Sequence, residues 1–111
     1  MNLHWHHPEV FRAQDRALAE ARLLELAREH TDLIDVRITA RLSAHHRHGD
    51  QEVRITCEAR GGEVVATRTE PDAGLALNEA LDVFEREVRR MRGRRAQRRR
   101  GRPDPSDATL P

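Results

Sequence analysis

Apolar and polar residues alternate strictly along two neighbouring stretches of this chain, and that alternation limits the folds open to it. From Asp35 to Ser43, Val36, Ile38, Ala40 and Leu42 take turns with Arg37, Thr39, Arg41 and Ser43. From Glu52 to Arg60, Val53, Ile55, Cys57 and Ala59 do the same with Arg54, Thr56 and Glu58. Residues two apart on an extended chain share a face, so each stretch predicts a strand with one side on a core and the other open to water or a ligand. A polar loop, Ala44 to Gln51, separates the two. Gly61-Gly62 follows the second at once, and glycine adopts the positive φ angles of a two-residue turn at little cost. The pair predicts a hairpin into a further strand, Glu63 to Thr69.

The flanking segments complete this sheet and cover it. Asn2 to His7 sets Leu3, Trp5 and His7 against Asn2, His4 and His6 and stops at Pro8, which predicts a short first strand. Between Val10 and His30, Ala19, Leu23, Leu26, Ala27 and His30 recur at three- and four-residue spacing, the stripe of a helix that Thr31-Asp32 ends. A second helix starts at Pro71-Asp72, where the aspartate can cap free amides, and carries Leu77, Leu81, Phe84, Val88 and Met91 on one side. On its far side Asp82 with Arg86, and Glu85 with Arg89, are spaced for ion pairs one turn apart. Past Gly93 the apolar stripe stops while arginines continue, so the helix is expected to fray there and Pro103 to Pro111 to form a disordered tail. The order β-α-β-β-β-α predicts an α+β domain, a four-stranded sheet with two helices packed on one face.

Length and composition bound the rest. A chain of 111 residues supports one such core rather than two, and with Trp5, Phe11 and Phe84 its only rings that core is aliphatic. Cys57 is the sole cysteine and has no partner for an internal disulfide; no apolar run approaches the roughly 18 residues that span a bilayer. Met1 to His7 lacks the basic start and apolar stretch of a secretory signal. A cytoplasmic protein, with the whole chain mature and no membrane partner, is the expectation.

The formal net charge of +1 conceals a division along the chain. Between Arg86 and Arg102 lie ten of the 20 basic residues and one acid, Glu87, which gives that segment +9 and leaves about −8 for everything else. Every basic residue is arginine, whose forked guanidinium suits phosphate and stacks on bases. An acidic body with a basic arm points to a polyanionic partner, because such an arm releases condensed counterions from a nucleic-acid backbone. A merely solvated helix face mixes its signs, as Arg12 to Glu29 does. The exposed side of the sheet adds Arg37, Arg41, Arg54 and Arg60 as candidate contacts, although cross-strand Arg and Glu pairs also dress ordinary sheets. Having scarcely any aromatics, that side cannot stack bases, so contact with phosphate and RNA shape is expected.

Other chemistry is poorly supported. His4, His6 and His7, and His45, His46 and His48, are clustered, but neither group brings the cysteines or carboxylates of a zinc site, so no metal or other cofactor is expected. Arg47, between histidines, reads more naturally as a phosphate contact. Cys57 on the apolar side of its strand is core filler, and His30 on the inner side of the first helix is a partly buried histidine rather than a base. No paired acid, activated serine or phosphate-binding glycine loop is present, and Gly61-Gly62 lacks the Lys and Ser/Thr that a P-loop needs. The chain is therefore expected not to be an enzyme and to have no small-molecule substrate.

Several segments in order carry a resemblance: Ala17 to Leu26 leading through Leu33-Ile34-Asp35-Val36, then His46-Arg47-His48, Arg60-Gly61-Gly62-Glu63-Val64, and Ala80-Leu81-Asp82 to Arg90. Over about residues 1 to 95 the chain resembles the short form of the bacterial ribosome hibernation-promoting factors, also called ribosome-associated translation inhibitors or sigma-54 modulation proteins. That family has the same element order. The resemblance implies a stress factor that sits in the decoding region of the 30S subunit and holds ribosomes inactive. It also implies 16S rRNA contacts at Arg22, Arg86, Arg89, Arg90 and Arg92, with Arg47, Arg94 and Arg95 as further candidates, in a protein monomeric when free. Residues 1–95 would form the ribosome-binding domain and 96–111 an arginine-rich extension. The family's aromatic residue at the opening of the last helix is missing from Asp72-Ala73-Gly74-Leu75-Ala76-Leu77-Asn78, and Leu23 and His30 stand where large rings are common. The rival reading is a protein-interaction module whose basic arm only steers encounter.

Overall fold

In the computed structural model, which describes residues 1–42 and 50–101 and side chains as far as Met91, the elements follow the expected order. They are β1 (Asn2–His6), one 3-10 turn (Pro8–Val10), α1 (Ala13–Glu29), β2 (Leu33–Leu42), β3 (Gln51–Ala59), β4 (Gly62–Glu70) and α2 (Ala73–Gly101). The sheet order is β1-β2-β3-β4. β1 runs parallel to β2, Leu3 beside Val36 and Trp5 beside Ile38, because α1 carries the chain back across the sheet between them. The other pairs are antiparallel, with Arg37 opposite Thr56, Arg41 opposite Glu52 and Arg54 opposite Thr67.

The alternation decides which side is buried. Val36, Ile38, Val53, Ile55 and Cys57 are inaccessible to solvent, and Val64 and Ala66 continue the layer on β4. Upon it α1 lays Ala19, Leu23 and Leu26, and α2 lays Ala73, Ala76, Leu77, Ala80, Leu81, Phe84 and Val88. Both helices thus cover one face of the sheet. Trp5 closes the β1 edge, packing edge-to-face on Phe11 at 5.4 Å while its indole N–H donates to Glu20 at 2.9 Å. His30 is buried at the end of α1, as its place on the stripe predicts.

Local departures have local causes. The first helix starts at Ala13, not Val10, because Pro8 opens a separate 3-10 turn and the extended backbone of Phe11 and Arg12 turns the Phe11 ring into the core. His7 leaves the first strand in the left-handed region, φ 56°, so its side chain does not continue the buried row. Leu42, expected inside, is 66% exposed because β2 outruns the helices there. Gly61 takes φ 91°, the conformation the hairpin requires and that residues with a Cβ rarely adopt. The largest departure is in α2, which does not fray at Gly93 but stays helical to Gly101. Arg, Ala and Gln, which fill most of Arg92 to Arg100, are all good helix formers, and helix propagation needs no apolar stripe once a nucleus is packed.

Candidate nucleic-acid interface

α2 is the element that presents the arginines. Asp72 caps it, its Oδ2 accepting from the Leu75 amide at 3.0 Å, and Gly74 lets the Asp15 carboxylate of α1 come up against the first turn. With one side sunk into the core, the opposite side has no choice but to face water, and it carries Asp82, Arg86, Arg89 and Arg90, all exposed.

These side chains form a network. The Arg22 guanidinium on α1 donates to Asp82 at 2.8 Å and to Glu85 at 3.2 Å. Glu85 also accepts from Arg89 at 2.9 Å, and Glu87 from Arg90 at 3.2 Å. The Glu85–Arg89 pair is the one the spacing predicts. The expected Asp82–Arg86 pair is absent: Asp82 turns to Arg22 on the neighbouring helix, and Arg86 has no ion pair among the described residues. Between Asp82 and Met91, α2 holds three arginines and three carboxylates, so this section is neutral as a whole. The cationic surplus lies farther on, where Arg92 to Arg102 has seven arginines and no acid.

The open side of the sheet is divided rather than uniformly basic. Arg41 is held by Glu52, Nε and Nη2 each 2.9 Å from one carboxylate oxygen. Arg37 and Arg54 are exposed and have no ion pair among the described residues. Asp35, Glu58 and Glu63 sit directly opposite one another across three strands and line a shallow depression of about 600 Å³ together with Arg37 and Thr56. Arg60 lies in the turn beyond β3, its amide donating to the Asp32 carbonyl at 3.0 Å. Three strand arginines thus face four strand carboxylates.

Of the remaining candidates, Arg47, His45, His46 and His48 fall outside the described residues, as do the side chains of Arg92, Arg94 and Arg95. His4 lies 3.8 Å from Asp35 on the open face, and no group of three metal-ligating side chains occurs among the described residues. Burial pushes the Cys57 thiol up to about 11, aided by the nearby carboxylates of Asp32, Asp35 and Glu58, so it is no nucleophile at neutral pH. Sequence reasoning missed the inter-helix grip on Arg22. Its only signal was an arginine on α1 with no acid four residues away on either side, which does not reveal a partner some sixty positions along the chain.

A family model described as sigma 54 modulation protein / S30EA ribosomal protein matches residues 2–96. A ribosomal subunit interface protein from Coxiella burnetii has a similar structure, with TM-score 0.64 and 12% identity over 83% of this chain and 96% of that one. The N-terminal domain of Thermus thermophilus Protein Y superposes with TM-score 0.60 and 24% identity, over 82% of this chain and 99% of that one. At such identities these two likenesses show the fold. No curated protein sequence matches the chain. No described helix is long and apolar enough to cross a membrane.

Proposed function

Because the chain belongs to the sigma 54 modulation protein / S30EA ribosomal protein family, we propose that it is a non-enzymatic ribosome-associated inhibitor that binds 16S rRNA in the decoding region of the 30S subunit and keeps the ribosome from translating. The observation that carries this reading is the division of charge. A folded body of net negative charge continues into one helix whose last third has six arginines and no acid, the arrangement that tracks phosphates and releases counterions. Arg86, the one unpaired arginine on the described outer side of α2, provides the contact nearest the body; Arg89 and Arg90, exposed themselves, can swing from their half-buried carboxylates to phosphate at little cost. Arg22, Arg47, Arg92, Arg94 and Arg95 complete the proposed set of rRNA contacts. The name of the Coxiella burnetii protein of similar fold, a ribosomal subunit interface protein, agrees with this partner.

Cosedimentation with purified 30S subunits at low and moderate salt tests it. The expected result is binding that weakens steeply with salt, and release when Arg86, Arg89 and Arg90 are replaced together by Gln, since every phosphate neutralised accounts for about one unit of the log–log salt slope. Unaltered cosedimentation of that variant would favour a protein-interaction module instead.

A further inference from the structure

β4 is an edge of the sheet and lacks the devices that usually keep an edge from pairing. It runs nine residues, Gly62–Glu70, without proline or lysine, and meets β3 in one continuous register with no bulge. The other edge, β1, has five residues and is stopped by the left-handed turn at His7 and by Pro8. Arg60-Gly61 makes a two-residue turn, so Ala59 and Gly62 close it as a hydrogen-bonded pair. Alternation from there gives Val64, Ala66 and Arg68 to the β3 ladder and turns the N–H and C=O groups of Glu63, Val65, Thr67 and Thr69 outward. Val65 is 42% exposed, and a depression of about 360 Å³ beside Thr67, Thr69 and Glu79 of α2 leaves room at that end of the strand.

We propose that β4 is a homotypic docking edge, on which β4 of a second copy of this chain adds antiparallel and joins two four-stranded sheets into one. A two-fold axis through Ala66 sets Glu63 opposite Thr69, and Val65 opposite Thr67, of the second copy. Every outward backbone group is then used, in about eight hydrogen bonds. Neighbouring registers fail. Moved one residue toward the turn, the axis sets Thr69 opposite Gly61, which turns away at φ 91°. Moved one residue the other way, it sets Glu63 opposite Pro71, which has no N–H. Charge order agrees with the same register: Arg68 falls opposite Val64 and Glu70 opposite Gly62, so no charge meets its like. A second copy thus matches the strand end to end. The pairing departs from the monomer that the family resemblance implies, and it does not rest on the ribosome reading.

Equilibrium sedimentation of the full chain, at rising concentration and in enough salt to screen its arginines, tests the pairing. The average mass is expected to climb from that of one chain toward that of two. Val65→Pro with Thr67→Pro removes two outward N–H groups from each copy while sparing the β3 ladder, and is expected to hold the mass at one chain. Two charge variants check the register. Val65→Lys with Thr67→Lys sets like charges opposite each other and should weaken association at least about tenfold, whereas Val65→Lys with Thr67→Glu sets opposite charges there and should keep it. A single-chain mass up to about 1 mM, association that the prolines leave unchanged, or an equal effect of the two charge variants would overturn the proposal. Circular dichroism and urea unfolding show whether the proline variant is folded; if it is not, the comparison of the two charge variants decides.

Discussion

Arg22 and Asp82, sixty residues apart in sequence, are joined across the two helices by a 2.8 Å charge-assisted hydrogen bond. The bond holds α1 against α2 and occupies a cation that RNA would otherwise attract. Asp82→Asn removes the acid while keeping the shape. We expect 30S affinity to rise roughly threefold, on the order of what a partly exposed ion pair is worth, and stability to fall by less than about 1 kcal/mol. Cosedimentation and urea unfolding read the two effects; weaker binding by the variant would mean that Arg22 acts only by bracing the helices.

Gly74 and Asp15 should be coupled. A Cβ at position 74 would meet Asp15 Oδ2 at 2.5 Å and Asp72 Oδ2 at 3.1 Å, so Gly74→Ala forces the Asp15 carboxylate away from the first turn of α2. The substitution is expected to destabilise the protein by about 1 kcal/mol. In an Asp15→Ala background the same change should stabilise it by roughly 0.5–1 kcal/mol, since alanine is the better helix former. Urea unfolding of the four proteins in the cycle gives the coupling directly.

Cys57 makes alkaline stability unusually easy to interpret. The chain has neither lysine nor tyrosine, so no other side chain titrates between the ordinary thiol value of 9.0 and the raised value of about 11. Burial is the main cause of the rise. The folded protein holds its proton where the unfolded chain has already lost one. The stability tied to this thiol is therefore complete below pH 9.0 and lost as pH climbs through about 11. Melting temperature should be level up to the first value and fall toward the second, and Cys57→Ala should abolish that fall. Iodoacetamide at pH 8 should label Cys57 only after urea is added.

The open sheet face is expected to contribute little to RNA affinity. Arg41 is engaged by Glu52, and the row Asp35, Glu58, Glu63 repels phosphate from one end of the face. Replacing Arg37 and Arg54 with Gln should change 30S binding by less than about twofold. A loss as large as that from the α2 variants would show that RNA crosses the sheet after all.

Period-two patterning was enough to read β2 and β3 from sequence, and the Gly61-Gly62 pair the hairpin into β4, because a half-buried strand has to alternate and a tight turn needs a positive φ. The stripe from Leu77 to Met91 was enough to identify α2 and its wet side. The extent of α2 past Gly93 was misjudged, since loss of an apolar stripe marks the end of packing rather than the end of a helix. The excess of arginine near the carboxyl end was visible in the residues themselves, and so was its likeness to a ribosome-binding family.

Which of those arginines are free was a different matter. The ladder spacing offered Arg86 to Asp82, yet the folded chain gives Asp82 to Arg22 and leaves Arg86 unpaired among the described residues. It also aligns three carboxylates across β2, β3 and β4 beside arginines that looked, one strand at a time, like a basic face. By itself the sequence determined periodicity and charge, which are properties of neighbours along the chain. Only the tertiary structure decided pairing, because an ion pair forms within a few ångströms and the partners that come so close are chosen by how helices and strands pack.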